Sequence, residues 1–246
     1  MVAMILAAGL GTRLRPLTHE IPKALVPVAG VPMLERVAQR CIEAGAERLV
    51  VNVSHLGDRV EDYIRQRHGF GVDVRISDEP GGPLETGGGI KKAASMLPAD
   101  EPVLVHNADI LTNVDLRALY DAHRADKRRP LATLAVTPAA SDRTLVFDDG
   151  GLVGYTLGGE ERLMRERQGE PRRYDFCGVH VLAPEMIALL RDEPEEKFSV
   201  MDTYLRQAKR GAVIAAYLAG HECLDIGTHE RLAAAERTLA GWEAGA

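Results

Sequence analysis

The chain has 246 residues, 46% of them hydrophobic and 27% charged, with a formal net charge of −6 at pH 7. Such a length and composition bury a sizeable core and read most simply as one α/β domain over residues 1–246. The acidic balance argues against a general nucleic-acid or membrane surface, so any anion site must be local. The apolar start MVAMILAAG has no basic leading segment and breaks at Gly9, too short for a signal peptide or a membrane span. Cys41, Cys177 and Cys223 are widely spaced, lack the CxxC pattern that brings two thiolates to a metal, and read as buried free thiols of a cytoplasmic protein.

In chain order, residues 3–7 predict a buried strand, 33–44 a helix with apolar side chains at helical spacing, and ERLVVNVS (47–54) the next strand. Residues 56–67 predict a helix, VDVRIS (72–77) a strand, 88–97 a helix, and PVLVHNAD (102–109) a strand ending in polar residues. This alternation implies a Rossmann-like, mixed but mostly parallel sheet flanked by helices on both faces. From Leu131 the pattern shifts to shorter strands, LATLAVT, RTLVF and GLVGYTL, with Asp148-Asp149-Gly150-Gly151 as a hairpin turn. Residues 158–173 are polar and charged and are expected to form a mobile loop near the substrate. YDFCGVHVL (174–182) resumes the strand pattern. Helices are expected at 184–191, at 200–210 with Ser199 as its cap, and at 228–240.

Open α/β sheets bind ligands beyond the carboxyl ends of their strands. The residues there form a coherent set: Gly9-Leu10-Gly11-Thr12-Arg13, Asn107-Ala108-Asp109 and Asp225-Ile226-Gly227-Thr228. The glycine loop is neither of the two commonest phosphate loops. A GxGxxG pattern begun at Gly9 places Leu14 where the third glycine belongs, and no Gly-Lys-Ser/Thr tripeptide exists for a Walker loop. What remains is backbone that can aim N–H groups at phosphate, or a plain tight turn, with Arg13 and Lys23 as nearby cations.

LAAGLGTRLRPLT (6–18), followed by Pro22-Lys23 and LVPVAGVPML (25–34), resembles the signature of the sugar-1-phosphate nucleotidyltransferases. The likeness continues in order through PLETGGGI (83–90), HNADI (106–110), FCGVHVL (176–182) and LDIGTHERL (224–232), nearly the whole chain. PLETGGGI and DIGTHERLAAAE are most similar to the short bacterial N-acetylmuramate 1-phosphate uridylyltransferases and related mannose-1-phosphate guanylyltransferase-like enzymes. The resemblance implies a nucleotide-diphospho-sugar transferase fold, a nucleotide-binding part over about 1–112 and a sugar-binding part over about 113–246. It implies an activity that joins UTP or GTP to a sugar 1-phosphate with Mg²⁺ and releases pyrophosphate. Mannose-1-phosphate or heptose-1-phosphate guanylyl transfer, and a non-catalytic sugar-nucleotide-binding regulator, stand as alternatives. A GT-A glycosyltransferase is a further one, although the N-terminal glycine loop has no role there. A homodimer would be unsurprising.

Carried over residue by residue, the resemblance puts Leu6, Ala8, Gly9, Gly11, Thr12, Arg13, Lys23, Leu84, Glu85, Gly87 and Gly88 against the nucleotide. Asn107, Gly178 and Asp225 face the sugar, Asp109 and Asp225 hold the metal, and Arg13, Lys23 and Asp109 carry the chemistry. Mg²⁺ suits two strand-end aspartates because it takes one or two carboxylates and fills its other positions with phosphate oxygens and water. Two departures stand out. Ala108 replaces a glycine common in the family motif, and the Glu-Lys-Pro tripeptide whose lysine binds the sugar phosphate in many long members is missing. Arg172 and Arg173 are either its substitutes or a solvated basic pair. His55, His180 and His229 lack metal-ligand spacing and are expected to be ordinary hydrogen-bonding side chains.

Overall fold

In the computed structural model, which describes residues 1–244, β1 (Val2–Leu6) is followed by a small hairpin of β2 (Pro27–Val28) and β3 (Val31–Pro32). Next come α1 (Met33–Glu43), β4 (Arg48–Val53), α2 (Gly57–Gln66), β5 (Asp73–Asp78), α3 (Glu85–Ala93), β6 (Val103–Asn107), β7 (Ile110–Thr112) and α4 (Leu116–Ala125). The chain continues with β8 (Ala132–Pro138), β9 (Leu145–Asp148), β10 (Gly151–Leu157), β11 (Glu160–Leu163) and β12 (Arg172–Leu182). It closes with α5 (Pro184–Arg191), α6 (Val200–Lys209), β13 (Ile214–Tyr217), β14 (Cys223–Asp225) and α7 (His229–Ala244).

The main sheet has ten strands, ordered β11-β10-β9-β12-β6-β1-β4-β5, with β8 beside β12 and β13 beside β8. It is the expected mixed sheet flanked by helices. Its parallel part is β5, β4, β1 and β6, and β12 joins β6 antiparallel. After β1 the chain first builds outward on one side, through β4 and β5, and then returns to place β6 on the other. The strand order therefore reverses at β1, and the crevice of such a sheet lies at that reversal. The parallel register sets Leu6 level with both Asn52 and Asn107, so three strand ends meet at one place.

Alternation along β1 decides which layer each side chain joins. Ala3 and Ile5 point into a core formed with α1, α2, α4 and α7, whereas Met4 points into one formed with α3, α5 and α6. Helix α1 buries Met33, Leu34, Val37, Ala38 and Cys41, the apolar stripe expected of a helix lying on a sheet. Asp115 caps α4 by accepting from the Ala118 N–H at 2.9 Å, and Ser199 caps α6 through the Met201 N–H at 3.3 Å. Among the described residues, no helix is long and apolar enough to cross a membrane.

Two sequence expectations need correction. Residues 158–173 are not one loop: β11 pairs antiparallel with β10 at the sheet edge opposite β5, 172–173 begin β12, and 164–171 are the irregular link between them. The Arg165 guanidinium forks onto the buried Asp148 carboxylate at 2.6 and 2.9 Å, which ties this charged stretch down. The cysteines are not three separate buried thiols either. Cys41 is buried in α1, but the fold carries β14 and its partly exposed Cys223 to Cys177 on β12.

Buried histidines give the fold a pH dependence. Burial holds His106 down to about 4, His123 to about 4 and His180 to about 3, against 6.5 for the free side chain. Each must stay neutral to remain in place, so the stability they allow is complete above about pH 6.5 and is lost as pH falls towards about 4. Urea unfolding at about pH 5 should show a stability lower by a few kcal/mol than at about pH 7.5. His123→Asn should flatten that slope, and an unchanged slope would count against this origin. His123 suits the test because, among the described residues, its side chain makes a single hydrogen bond, to Thr133 Oγ1 at 2.9 Å.

Candidate active site

The carboxyl ends of β1, β4 and β6 form the floor of a cleft lined by Leu6, Ala7, Ala8, Gly9, Lys23, Asn52, Glu85, Asn107, Ala108 and Asp109. Of the residues singled out in the sequence, Leu6, Ala8, Gly9, Lys23, Glu85, Asn107 and Asp109 lie there directly. Gly11, Thr12 and Arg13 follow on the loop at its edge. Gly11 has φ +62°, and a Cβ there would come within 2.9 Å of Thr18 Cγ2 and 3.0 Å of Lys23 Cβ. The residue must be glycine both for its backbone conformation and to let the Lys23 stem pass. Thr18 Oγ1 donates to the Gly11 carbonyl at 2.7 Å and fixes the turn.

Lys23 reaches back across the cleft to the carboxylate of Asp109, and the two side chains are only 12% and 25% exposed. Asp225 stands beside this pair. Strand β14 runs antiparallel to β7 with Asp225 level with Ile110, and the Ile226 N–H donates to the Asp109 carbonyl at 3.0 Å. The two aspartates expected to act together are therefore neighbours, although far apart in sequence. Asp225 accepts from the Gly227 N–H at 2.5 Å and from Arg231 at 2.6 Å, and Arg13 approaches it to 3.8 Å. Each carboxylate is thus matched by a cation. Arg231 was not singled out in the sequence, because it lies on a surface turn of α7 that reads as solvated.

Gly178, with φ +70°, closes the third side. A Cβ at this position would lie 2.7 Å from Asn107 Nδ2 and 3.1 Å from Ile110 Cγ1, so the β12 backbone passes directly over Asn107. Glu85 also adopts a left-handed conformation, with φ +63°, which is strained for a side chain with a Cβ. Leu84 and Glu85 begin α3 at the cleft wall. Gly87 and Gly88 lie deeper: both N–H groups donate to the Phe198 carbonyl, at 2.9 and 3.2 Å.

A buried polar chain stiffens this wall. Asn52 Oδ1 accepts from the Ala7 N–H at 2.7 Å, Asn52 Nδ2 donates to Glu79 Oε1 at 2.8 Å, and Glu79 Oε2 accepts from the Leu84 N–H at 2.8 Å. Both side chains are 2% exposed. Neither was expected as a site residue. The available signal was a lone asparagine inside the apolar run LVVNV. Arg172 and Arg173 are not brought to the cleft, since they pair with Asp149 and Glu161 at 2.8 and 2.9 Å. His180 bonds Tyr204 and His229 approaches the Arg15 carbonyl, the ordinary roles expected of them.

This arrangement, two carboxylates and three cations (Lys23, Arg13 and Arg231) around a glycine turn at the reversal of a parallel sheet, is suited to holding polyanions together. Comparison with known proteins agrees. A family model described as nucleotidyl transferase matches residues 2–241. The N-acetylmuramate alpha-1-phosphate uridylyltransferase of Caulobacter vibrioides is 37% identical over 241 residues, covering 97% of each chain. The protein of the same name from Neisseria meningitidis is 31% identical, over 99% of this chain and 100% of its own. Among solved structures, HddC from Yersinia pseudotuberculosis complexed with GMP-PN superposes with a TM-score of 0.76 at 23% identity, covering 97% of this chain and 99% of its own.

Proposed function

The chain belongs to the nucleotidyl transferase family, and we propose that it transfers a uridylyl group from UTP to N-acetylmuramate 1-phosphate, releasing pyrophosphate. The observation that carries the reaction class is the convergence of Lys23, Asp109, Asp225 and Arg13 at one set of strand ends. The choice of base and sugar rests on the two relatives of that name, which align over almost the whole of both chains. On this reading residues up to about 112 serve the nucleotide and those beyond it the sugar, in the cytoplasm, where nucleoside triphosphates are available.

An oxygen of the sugar phosphate attacks the α-phosphorus in line as the bond to the pyrophosphate oxygen breaks. The attacking phosphate is already ionised, so no general base is needed. The protein's work is to position two polyanions against their repulsion and stabilise charge on the leaving group. Backbone N–H groups around Gly9, Gly11 and Thr12 take the triphosphate oxygens. Arg13 steadies the departing pyrophosphate, and Lys23 supplies positive charge beside Gly9. Leu84 and Glu85 read the base edge, with Gly87 and Gly88 setting the wall behind them, and Asn107 and Gly178 face the sugar.

Asp109 in the cleft and Asp225 on the strand beside it, both partly exposed, fit Mg²⁺ as a pair of carboxylate donors. When bound, the ion neutralises phosphate charge and polarises the transferred group. A matrix of the four triphosphates against N-acetylmuramate, mannose, heptose and glucose 1-phosphates, read by pyrophosphate release, tests the reading. UTP with N-acetylmuramate 1-phosphate should be fastest. Preference for GTP would overturn the substrate, and silence throughout would overturn the activity. Arg13→Ala should lower kcat roughly a hundredfold with little change in Tm, because the Arg13 side chain is 60% exposed and supports no core.

A further inference from the structure

Cys177, His221 and Cys223 each present a ligand atom, and the three atoms lie within 4.8 Å of one another. The proposed reaction uses none of them. We propose that these residues form a soft-metal site that takes one zinc ion per chain, separate from the carboxylate pair of the cleft.

The geometry is that of ligands already spaced around an ion. In a tetrahedral zinc site a thiolate at about 2.3 Å and an imidazole nitrogen at about 2.0–2.1 Å are about 3.6 Å apart. Cys177 Sγ and His221 Nε2 are 3.6 Å apart. Among the described residues the imidazole's Nδ1 is buried without a hydrogen-bond partner, so its polar contacts run through Nε2 to the cysteines, while Cys223 Sγ also meets Thr112 Oγ1 at 3.1 Å. Its ring is oriented by the Tyr217 ring, stacked at 6.3 Å and 15°. Cys177 and His221 are 4% and 8% exposed, whereas Cys223 reaches the surface in part. The ion therefore enters past Cys223 and takes water as its fourth ligand. Two thiols give up their protons on binding, and two thiolates with one Zn²⁺ leave the buried site neutral. Thiolates with imidazole select zinc or another soft ion over Mg²⁺, which prefers oxygen.

The site's place in the fold gives it a consequence. Cys177 immediately precedes Gly178 on β12, and Cys223 lies on β14 two residues before Asp225. An ion held between them would pin the strand that carries one wall of the cleft to the strand that carries a cleft aspartate.

The test uses the full chain, reduced, stripped with a chelator and then titrated with zinc alone. Metal analysis should give one zinc per chain, two thiols should lose their reactivity towards a thiol reagent in the native protein, and Tm should rise. Cobalt(II) should show thiolate-to-metal charge transfer and the intense visible bands of a four-coordinate ion, a readout on the unmutated chain. Cys177→Ser, Cys223→Ser and His221→Gln should each weaken binding by more than about a hundredfold. Cys41→Ser should not. Absence of thiolate-to-cobalt charge transfer, equal zinc binding by the Cys177→Ser/Cys223→Ser double variant, or a Cys177–Cys223 disulfide that yields a metal-free protein after reduction would overturn the proposal. These readouts are of metal and thiol, so the result holds whichever sugar phosphate the enzyme uses.

Discussion

Asp109→Asn is expected to lower pyrophosphate release by on the order of a thousandfold or more while leaving the fold intact. Asparagine keeps the shape of the side chain and removes one charge. That charge has two uses in the cleft: it holds Lys23 in place, and it is one of the two carboxylates proposed to take Mg²⁺. The uses separate experimentally. If metal ligation dominates, Asp109→Asn should raise the Mg²⁺ concentration needed for half-maximal activity, and Lys23→Met should lower kcat without moving it. If Asp109 only anchors Lys23, the two variants should share one Mg²⁺ dependence. The pair is largely buried and Asp109→Asn leaves the Lys23 charge unpaired, so the change should cost roughly 1–3 kcal/mol of stability, still less than the barrier change. Activity within tenfold of wild type would remove Asp109 from the chemistry altogether.

The strands and most helices were legible in the sequence because burial imposes its own period on them. Val2–Leu6 and Arg48–Val53 are apolar runs of strand length, and Met33–Glu43 repeats at helical spacing. Helix α4 was legible and not read, although Leu116, Leu119, Tyr120 and His123 follow helical spacing and Asp115 caps it. Arg13, Lys23, Asp109 and Asp225 were singled out from strand-end motifs and from the family resemblance, and the fold brings the four near one another. What stayed hidden depends on registry between distant strands. Asn52 matters because β4 lies parallel beside β1, which brings its amide to the Ala7 N–H and to Glu79. No local pattern around Cys177 announces Cys223, because they meet only after β14 has paired with β7. Residues 158–173 misled for a related reason. Their charges suggested solvent, yet Arg165 has a buried partner in Asp148 on β9.

The run Gly87-Gly88-Gly89 sits inside α3, where glycine ordinarily weakens a helix and alanine would strengthen it by about 0.5–1 kcal/mol. Gly88→Ala is expected to do the opposite, destabilising by about 2–3 kcal/mol. A Cβ on Gly88 would overlap the Glu196 carbonyl oxygen and come within 2.9 Å of Leu84 Cβ, both parts of the packed wall rather than flexible ends. Each glycine admits a different neighbour. Gly87 accepts the Phe198 ring, whose Cδ2 would be 2.5 Å from a new Cβ, and Gly89 accepts Asn52, whose Nδ2 would be 2.7 Å away. The segment before α6 therefore packs on α3 and holds the turn at Leu84 and Glu85, a contact completed by the Phe198 N–H donating to the Leu84 carbonyl at 3.2 Å. If that turn reads the base, Gly88→Ala should raise KM for the triphosphate several-fold more than KM for the sugar phosphate. Gly89→Ala, which strikes the Asn52–Glu79 pair instead, should disturb the Leu84 N–H and share the same selectivity. Denaturant unfolding gives the sign directly: a Gly88→Ala protein as stable as wild type would mean that the segment gives way, and that the glycines serve the nucleotide by some route other than this packing.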